Sequence, residues 1–319
     1  MAVARLLDPK QIPENLWDRS TEVLHIPEQI AAVYLGIVDA RGIRGLLAGF
    51  DGGPIGGLSR EETESHFVNR LDGSLARVQL ALLDPRHELE NTSDTLLLPL
   101  SGGSTCVADA PCGAGAGVLG LLSVVADLRR SDVLPRIPLD VKLVAADISS
   151  HARELGVEML EALRPFLEEQ AINVSVEWIE WDATNVASNT HFVRRTIVAS
   201  DSCARKLLLI ANFSGFLSLP GKRKEAHPQL GELFRYFATD DAAALWLEPD
   251  HNSATARGGV LDAFLKFARE KIARFARISE KLGGEKFGYL ARARFRTLLR
   301  GGNARVGACV VPIDLGAQK

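Results

Sequence analysis

Residues 104–120 read Ser-Thr-Cys-Val-Ala-Asp-Ala-Pro-Cys-Gly-Ala-Gly-Ala-Gly-Val-Leu-Gly, and no other stretch constrains the chain so strongly. A short buried strand, Thr105 to Ala108, runs into an acid, Asp109, and then into three alternating glycines, Gly113, Gly115 and Gly117. An apolar helical run follows, from Val118 to about Leu128. Strand, glycine loop and helix in that order make a nucleotide cradle. The glycines let the backbone turn sharply and approach a ligand that a Cβ would block. The helix behind them presents free N–H groups toward that ligand.

From this loop onward the pattern alternates strand and helix. Strand candidates are 104–109, Val141 to Ala146, Val174 to Trp181, Lys206 to Ala211 and Ala243 to Leu247, with four crossover segments between them. Such alternation predicts a mostly parallel sheet. After a predicted helix over 259–282, two further strands, Tyr289 to Leu299 and Val306 to Ile313, flank Gly301-Gly302-Asn303, which is hairpin chemistry. The expected fold is α/β, a Rossmann-like, seven-stranded, mostly parallel sheet over residues 101–319. Residues 1–100 read as an N-terminal helical appendage. There Ile30, Tyr34, Ile37 and Val38 share one helical face, and Ser59-Arg-Glu-Glu62 is a capping box. Phe67, Leu71, Leu75 and Val78 trace the face of the helix that this box opens.

The wording of the loop adds a family resemblance. Asp109-Ala-Pro-Cys-Gly-Ala-Gly resembles motif I of the class I S-adenosylmethionine (SAM) dependent methyltransferases, with Pro111 in place of the first glycine. Five parallel strands followed by a terminal hairpin also resemble that family's sheet, whose last strand is antiparallel. The resemblance implies SAM as cofactor, with Gly113 to Gly115 under its methionine part and Asp109 reaching the methionine amino group. It implies, too, that the N-terminal helices lie over the active site; plain packing is the other reading of them. A rival reading takes Gly115-Ala-Gly117-Val-Leu-Gly120 as the dinucleotide pattern of an NAD(P)-dependent oxidoreductase.

In an open parallel sheet, ligands sit at the carboxyl ends of the strands. After the second strand stands Asp147, whose two oxygens suit both hydroxyls of a ribose, or which caps the following helix. After the third stands Asp182, which the resemblance makes an adenine contact. After the fourth stands Asn212-Phe213-Ser214-Gly215, where the family keeps its catalytic signature. Asn212 then orients the substrate or lines the SAM pocket, and the missing Pro-Pro departs from the adenine-methylating pattern. After the fifth stand Glu248 and His251, the latter a candidate general base because imidazole titrates near neutrality.

Composition bounds the rest. Net charge is −3, yet from Lys266 to Arg305 twelve Lys/Arg face three acids, so that segment is +9. Arg292, Arg294 and Arg296 alternate along a predicted strand and so share a face at the sheet edge. A basic face of that kind suits phosphate backbone contact, which makes RNA one candidate acceptor and a small molecule the alternative. A SAM-binding module that has lost catalysis is a third reading. Cys106, Cys112, Cys203 and Cys309 show no paired spacing, and seven scattered histidines form no ligand pair. No metal site and no disulfide frame are expected, and the chain reads as cytoplasmic. The longest apolar run, Gly117 to Ala126, is too short to span a bilayer.

Overall fold

The computed structural model describes residues 5–47, 56–89, 91–239, 241–250 and 289–313. Two short strands, β1 (Trp17–Asp18) and β2 (Val23–Leu24), come first. Helices α1 (Glu28–Ala40), α2 (Arg60–Leu83) and α3 (Thr92–Leu100) follow. The α/β alternation then runs β3 (Gly103–Asp109), α4 (Ala116–Arg130), β4 (Leu139–Asp147), α5 (Ser150–Glu169), β5 (Ile172–Glu180), α6 (Val186–Ser200) and β6 (Arg205–Ala211). It continues through α7 (Ser214–Leu217), α8 (Lys222–Tyr236) and β7 (Ala242–Pro249). The strands β8 (Tyr289–Arg296) and β9 (Asn303–Ile313) end the described chain.

All these strands form one mixed, mostly parallel sheet in the order β1-β2-β8-β9-β7-β6-β3-β4-β5. The five strands β3 to β7 pair in parallel, and β9 runs antiparallel between β7 and β8. Among the described residues nine strands stand where seven were expected. The additional two come from the N-terminal region, so residues 1–100 are not wholly helical. Each spans two residues, too few for alternation to show in a sequence. Their burial explains their place: Trp17, Val23 and Leu24 are buried, and β2 pairs in parallel with β8 through Val23 opposite Arg294. β8 is therefore not an edge strand over that stretch. The predicted helix 259–282 lies outside the described residues.

Alternation along the strands divides the core in two. Val107, Leu143, Leu207, Leu209 and Leu245 face one layer, packed with α1, α2, α4 and α5. Ala108, Val144, Leu208, Ile210 and Trp246 face the other, packed with α6 and α8. Successive side chains of a strand point to opposite faces, so a strand buried on both sides is continuously apolar. The N-terminal helices share the first of these layers. In α1 the buried residues are Ile30, Tyr34, Ile37 and Val38, the expected face. The capping box forms as read, with Ser59 accepting from the Glu62 backbone and Glu62 reaching back. Phe67, Leu71, Leu75 and Val78 are buried, each large side chain contributing roughly 1.5–3 kcal/mol. Close approach of α2 to α4 uses Gly120, where a Cβ would lie 3.2 Å from Leu75 Cδ2. Among the described residues no helix is long and apolar enough to cross a membrane.

Candidate functional site

β3 pairs with β4 on one side and β6 on the other. The chain goes outward through β4 and β5, then returns to build β6 and β7 on the opposite side. The crevice where the direction reverses is where ligands of such sheets bind. Here it is a cleft lined from below by Asp109, Gly113, Gly117, Asp147, Asp182 and Asn212, the carboxyl ends of four strands. Its opposite wall is α2, through Thr63, His66, Phe67, Arg70 and Ser74.

The loop is held by the acids around it. Gly113 takes φ +53°, and a Cβ built on it would meet no atom of the described residues within 4 Å, so among them this position faces open space. Its N–H donates to Asp147 Oδ2 at 2.9 Å. Asp147 Oδ1 accepts from the Ser149 N–H at 2.9 Å. The capping role is thus divided: Ser149 is the N-cap of α5, accepting from Ala152, while Asp147 pins the glycine loop from the cleft wall. Burial raises the Asp147 carboxyl, and the Ser149 and Gly113 N–H groups offset part of that rise. Asp109 is fully buried at the end of β3. Its Oδ2 accepts from the Val118 N–H at 3.2 Å, in the first turn of α4. Its Oδ1 has no hydrogen-bond partner among the described residues. Burial pushes this carboxyl up to about 7, with the Asp147 charge adding to the effect.

Gly115 and Gly117 do different work from Gly113. Gly115, at φ +79°, is the N-cap of α4, where a Cβ would come 2.9 Å from Leu119 Cδ1; it does not line the cleft. At Gly117 a Cβ would lie 2.8 Å from Leu209 Cδ2 and 3.0 Å from Asp109 Oδ2, so glycine here lets α4 settle against the sheet. Asp182 lines the cleft while its Oδ1 accepts from the Thr184 N–H at 2.8 Å. Trp181 is core: it is 2% exposed and its indole N–H donates to Asn189.

Asn212 follows β6 in the left-handed region, at φ +56°, which asparagine tolerates better than most residues. Its Oδ1 accepts from Arg77 Nη1 at 2.7 Å. Phe213 stacks on Phe216 at 5.3 Å, and both line the cleft. Glu248 does not. It is fully buried, and its Oε1 accepts from the Phe213 N–H at 2.8 Å, the Ser214 N–H at 2.7 Å and the Trp246 indole at 2.6 Å. Its place is beneath the turn that carries Asn212, as the anchor of that turn. His251 lies outside the described residues.

The residues that sequence reasoning missed are on α2. Phe67, Leu71 and Leu75 were read as its core face, and His66, Arg70 and Ser74 each precede one of them. That polar stripe, at a spacing of four, was the available signal. Burial, with the Arg70 charge one turn away, pushes the His66 imidazole down to about 4, so it is neutral at physiological pH. Thr63 and Ser149 hydroxyls meet at 3.2 Å, tying α2 to the far rim of the cleft. Neither a known family model nor a curated protein matches this chain. The class of protein is therefore carried by its sheet and cleft: an α/β protein with a glycine-loop cleft at the switch point of a mostly parallel sheet.

Proposed function

We propose that this chain is a SAM-dependent methyltransferase that moves a methyl group to an N or O nucleophile. The observation that carries the reading is the convergence of Asp109, Gly113, Asp147, Asp182 and Asn212 on one cleft. The residues fit the cofactor: Gly113 leaves open space where a Cβ would stand, and Asp109 Oδ1 is a buried acceptor without a partner among the described residues. Asp147 would hold the ribose, Asp182 the adenine amino group, Gly113 the methionine end and Asp109 its amino group. The cofactor supplies an electrophilic methyl group on a sulfonium. The strand order also favours this reading, since β8-β9-β7-β6-β3-β4-β5 with β9 antiparallel resembles the family's seven-stranded sheet. The two N-terminal strands are then an addition at one side.

The protein's own contribution would be confinement and orientation. α2 closes one side of the cleft, and positioning alone supplies much of the barrier reduction in a transfer between two bound groups. His66 faces the cleft as a neutral imidazole, and the burial that pushes it down to about 4 makes it a weak acceptor of the nucleophile's proton; the sequence assigns that role to His251. The oxidoreductase alternative weakens on the packing of its pattern. Its second glycine, which should leave the backbone open to a pyrophosphate, is Gly117, and there a Cβ would point at the sheet, 2.8 Å from Leu209 Cδ2. A SAM-binding module without turnover remains the second reading, favoured by the commitment of Asn212 to Arg77 and of Glu248 to backbone N–H groups.

Calorimetry with SAM, S-adenosylhomocysteine, NAD and NADP tests the cofactor. Saturable binding of the first two alone is expected; binding of NAD or NADP alone overturns the reading. Transfer of labelled methyl groups to cell RNA, protein and small-molecule extracts then separates enzyme from module. Asp147→Ala should weaken SAM binding by about 1–2 kcal/mol through lost charge-assisted hydrogen bonds. An unchanged dissociation constant in the folded variant would remove the ribose assignment.

A further inference from the structure

A second cavity, of about 650 Å³, adjoins the cleft, and five arginines line it: Arg77, Arg86, Arg292, Arg294 and Arg305. They come from α2, the loop after it, β8 and β9. Alternation along β8 does put Arg292 and Arg294 on one exposed face. The antiparallel register then sets Arg294 directly opposite Arg305. Like charges directly opposed across a strand pair destabilise the sheet. Two acids in the lining answer only part of this charge. Glu22 pairs with Arg86 at 2.7 Å and Asp250 with Arg292 at 2.6 Å. Among the described residues no carboxylate forms an ion pair with Arg77, Arg294 or Arg305.

The cavity is also shaped for a small ligand. Arg77 is the wall between it and the cleft: its Nε donates to the Gly307 carbonyl at 3.2 Å and its Nη1 to Asn212 at 2.7 Å. Glycine at 307 makes room for Asp250, since a Cβ there would lie 2.1 Å from Asp250 Cγ. Arg294 Nη2 donates to the Thr21 carbonyl at 2.5 Å, which fixes its guanidinium against the N-terminal strands. Planar guanidinium forks match phosphate oxygens in geometry as well as charge. Glu248 and Asp250 act on the charge of Arg77, which leaves Arg294 and Arg305 as the uncompensated pair, and two guanidinium groups in a concavity of ligand size suit a phosphate group better than a flat nucleic-acid backbone.

We propose that this cavity binds a small phosphorylated molecule, with its phosphate or pyrophosphate group on Arg294 and Arg305 and its other end toward Arg77 and Asn212. That this molecule is the methyl acceptor rests on the methyltransferase reading; the anion site itself does not. Calorimetry on the full chain at low salt, with inorganic phosphate, with pyrophosphate and with a single-stranded RNA oligonucleotide, tests the site. SAM is titrated into the wild-type protein in parallel. We expect one pyrophosphate site, weakened about tenfold or more in Arg294→Ser and in Arg305→Ser, since each removes a charge-assisted contact. Without ligand, Arg305→Ser should melt at or above the wild-type temperature, because the opposed charge is relieved while Arg294 keeps its bond to the Thr21 carbonyl.

Absence of pyrophosphate binding, or binding that both variants retain in full, overturns the proposal. So does a lowered melting temperature with affinity intact, which would make the arginines structural. RNA binding that the variants lose, without any pyrophosphate binding, replaces the pocket with an RNA surface. If pyrophosphate binds as expected and SAM does not, the anion site stands and only its link to methyl transfer falls.

Discussion

Gly113→Val is expected to abolish SAM binding in a protein that still folds. The backbone at this position sits at φ +53°, a left-handed conformation that a β-branched residue adopts at a cost of roughly 1–3 kcal/mol. That loss is within reach of a domain whose two core layers are otherwise untouched. The effect on the ligand should be far larger. A Cβ at Gly113 meets no atom of the described residues within 4 Å, so the side chain enters the space that a ligand would need, and the stability cost is that of the backbone conformation. Asp147 adds to the loss, since it holds the Gly113 N–H and would move with any shift of the loop. Circular dichroism and thermal melting check the fold, and calorimetry reads the binding. A folded variant with the wild-type SAM dissociation constant would reduce the glycine loop to a turn.

Much of this arrangement was legible because it is written in local signals. The strands β3, β4, β6 and β7 carry apolar runs toward their carboxyl ends, β5 at the sheet edge alternates polar and apolar residues, and each expected strand lies within a few residues of the observed one. Asp109, Asp147 and Asp182 were identifiable by standing at or just after strand ends, and the topology gathers them into one cleft. What could not be read depends on tertiary contact. β1 and β2 are two-residue strands that exist because β8 offers them a partner. Glu248 looked like a site residue because it ends a strand, but its register turns it inward beneath Phe213 and Ser214. His66 and Arg70 lie beside the apolar face of α2, and only the docking of that helix over the sheet turns them toward the cleft. The arginines of β8 alternate as expected and Arg305 follows them across the hairpin, yet Arg77 and Arg86 come from distant sequence, so the cavity has no complete local signature.

Asp109→Asn should make the protein more stable at alkaline pH while weakening the SAM binding proposed for the cleft. The folded carboxyl titrates at about 7, against an ordinary value of 3.8, because it is buried. Between those two values the unfolded chain has released this proton and the folded chain retains it. Stability therefore falls as pH rises, being fully present below the ordinary value and lost as pH passes the folded one. Three pKa units correspond to about 4 kcal/mol of such loss. Asparagine keeps an oxygen for the Val118 N–H and carries no charge, so the variant escapes this term. Urea denaturation from acid to alkaline pH should show the two proteins converging near pH 4 and the variant ahead by about 2–4 kcal/mol at pH 8. Burial also raises Asp147 and Glu248, but both proteins carry them, so the difference between the profiles isolates Asp109 and its coupling to Asp147. Parallel profiles would show that Asp109 ionises without penalty in the fold. A buried acid that lowers stability at working pH, with one oxygen unpartnered among the described residues, is what a binding site retains when the ligand supplies the missing partner. Loss of SAM affinity in the same stabilised variant would join the two halves of that trade at a single carboxylate.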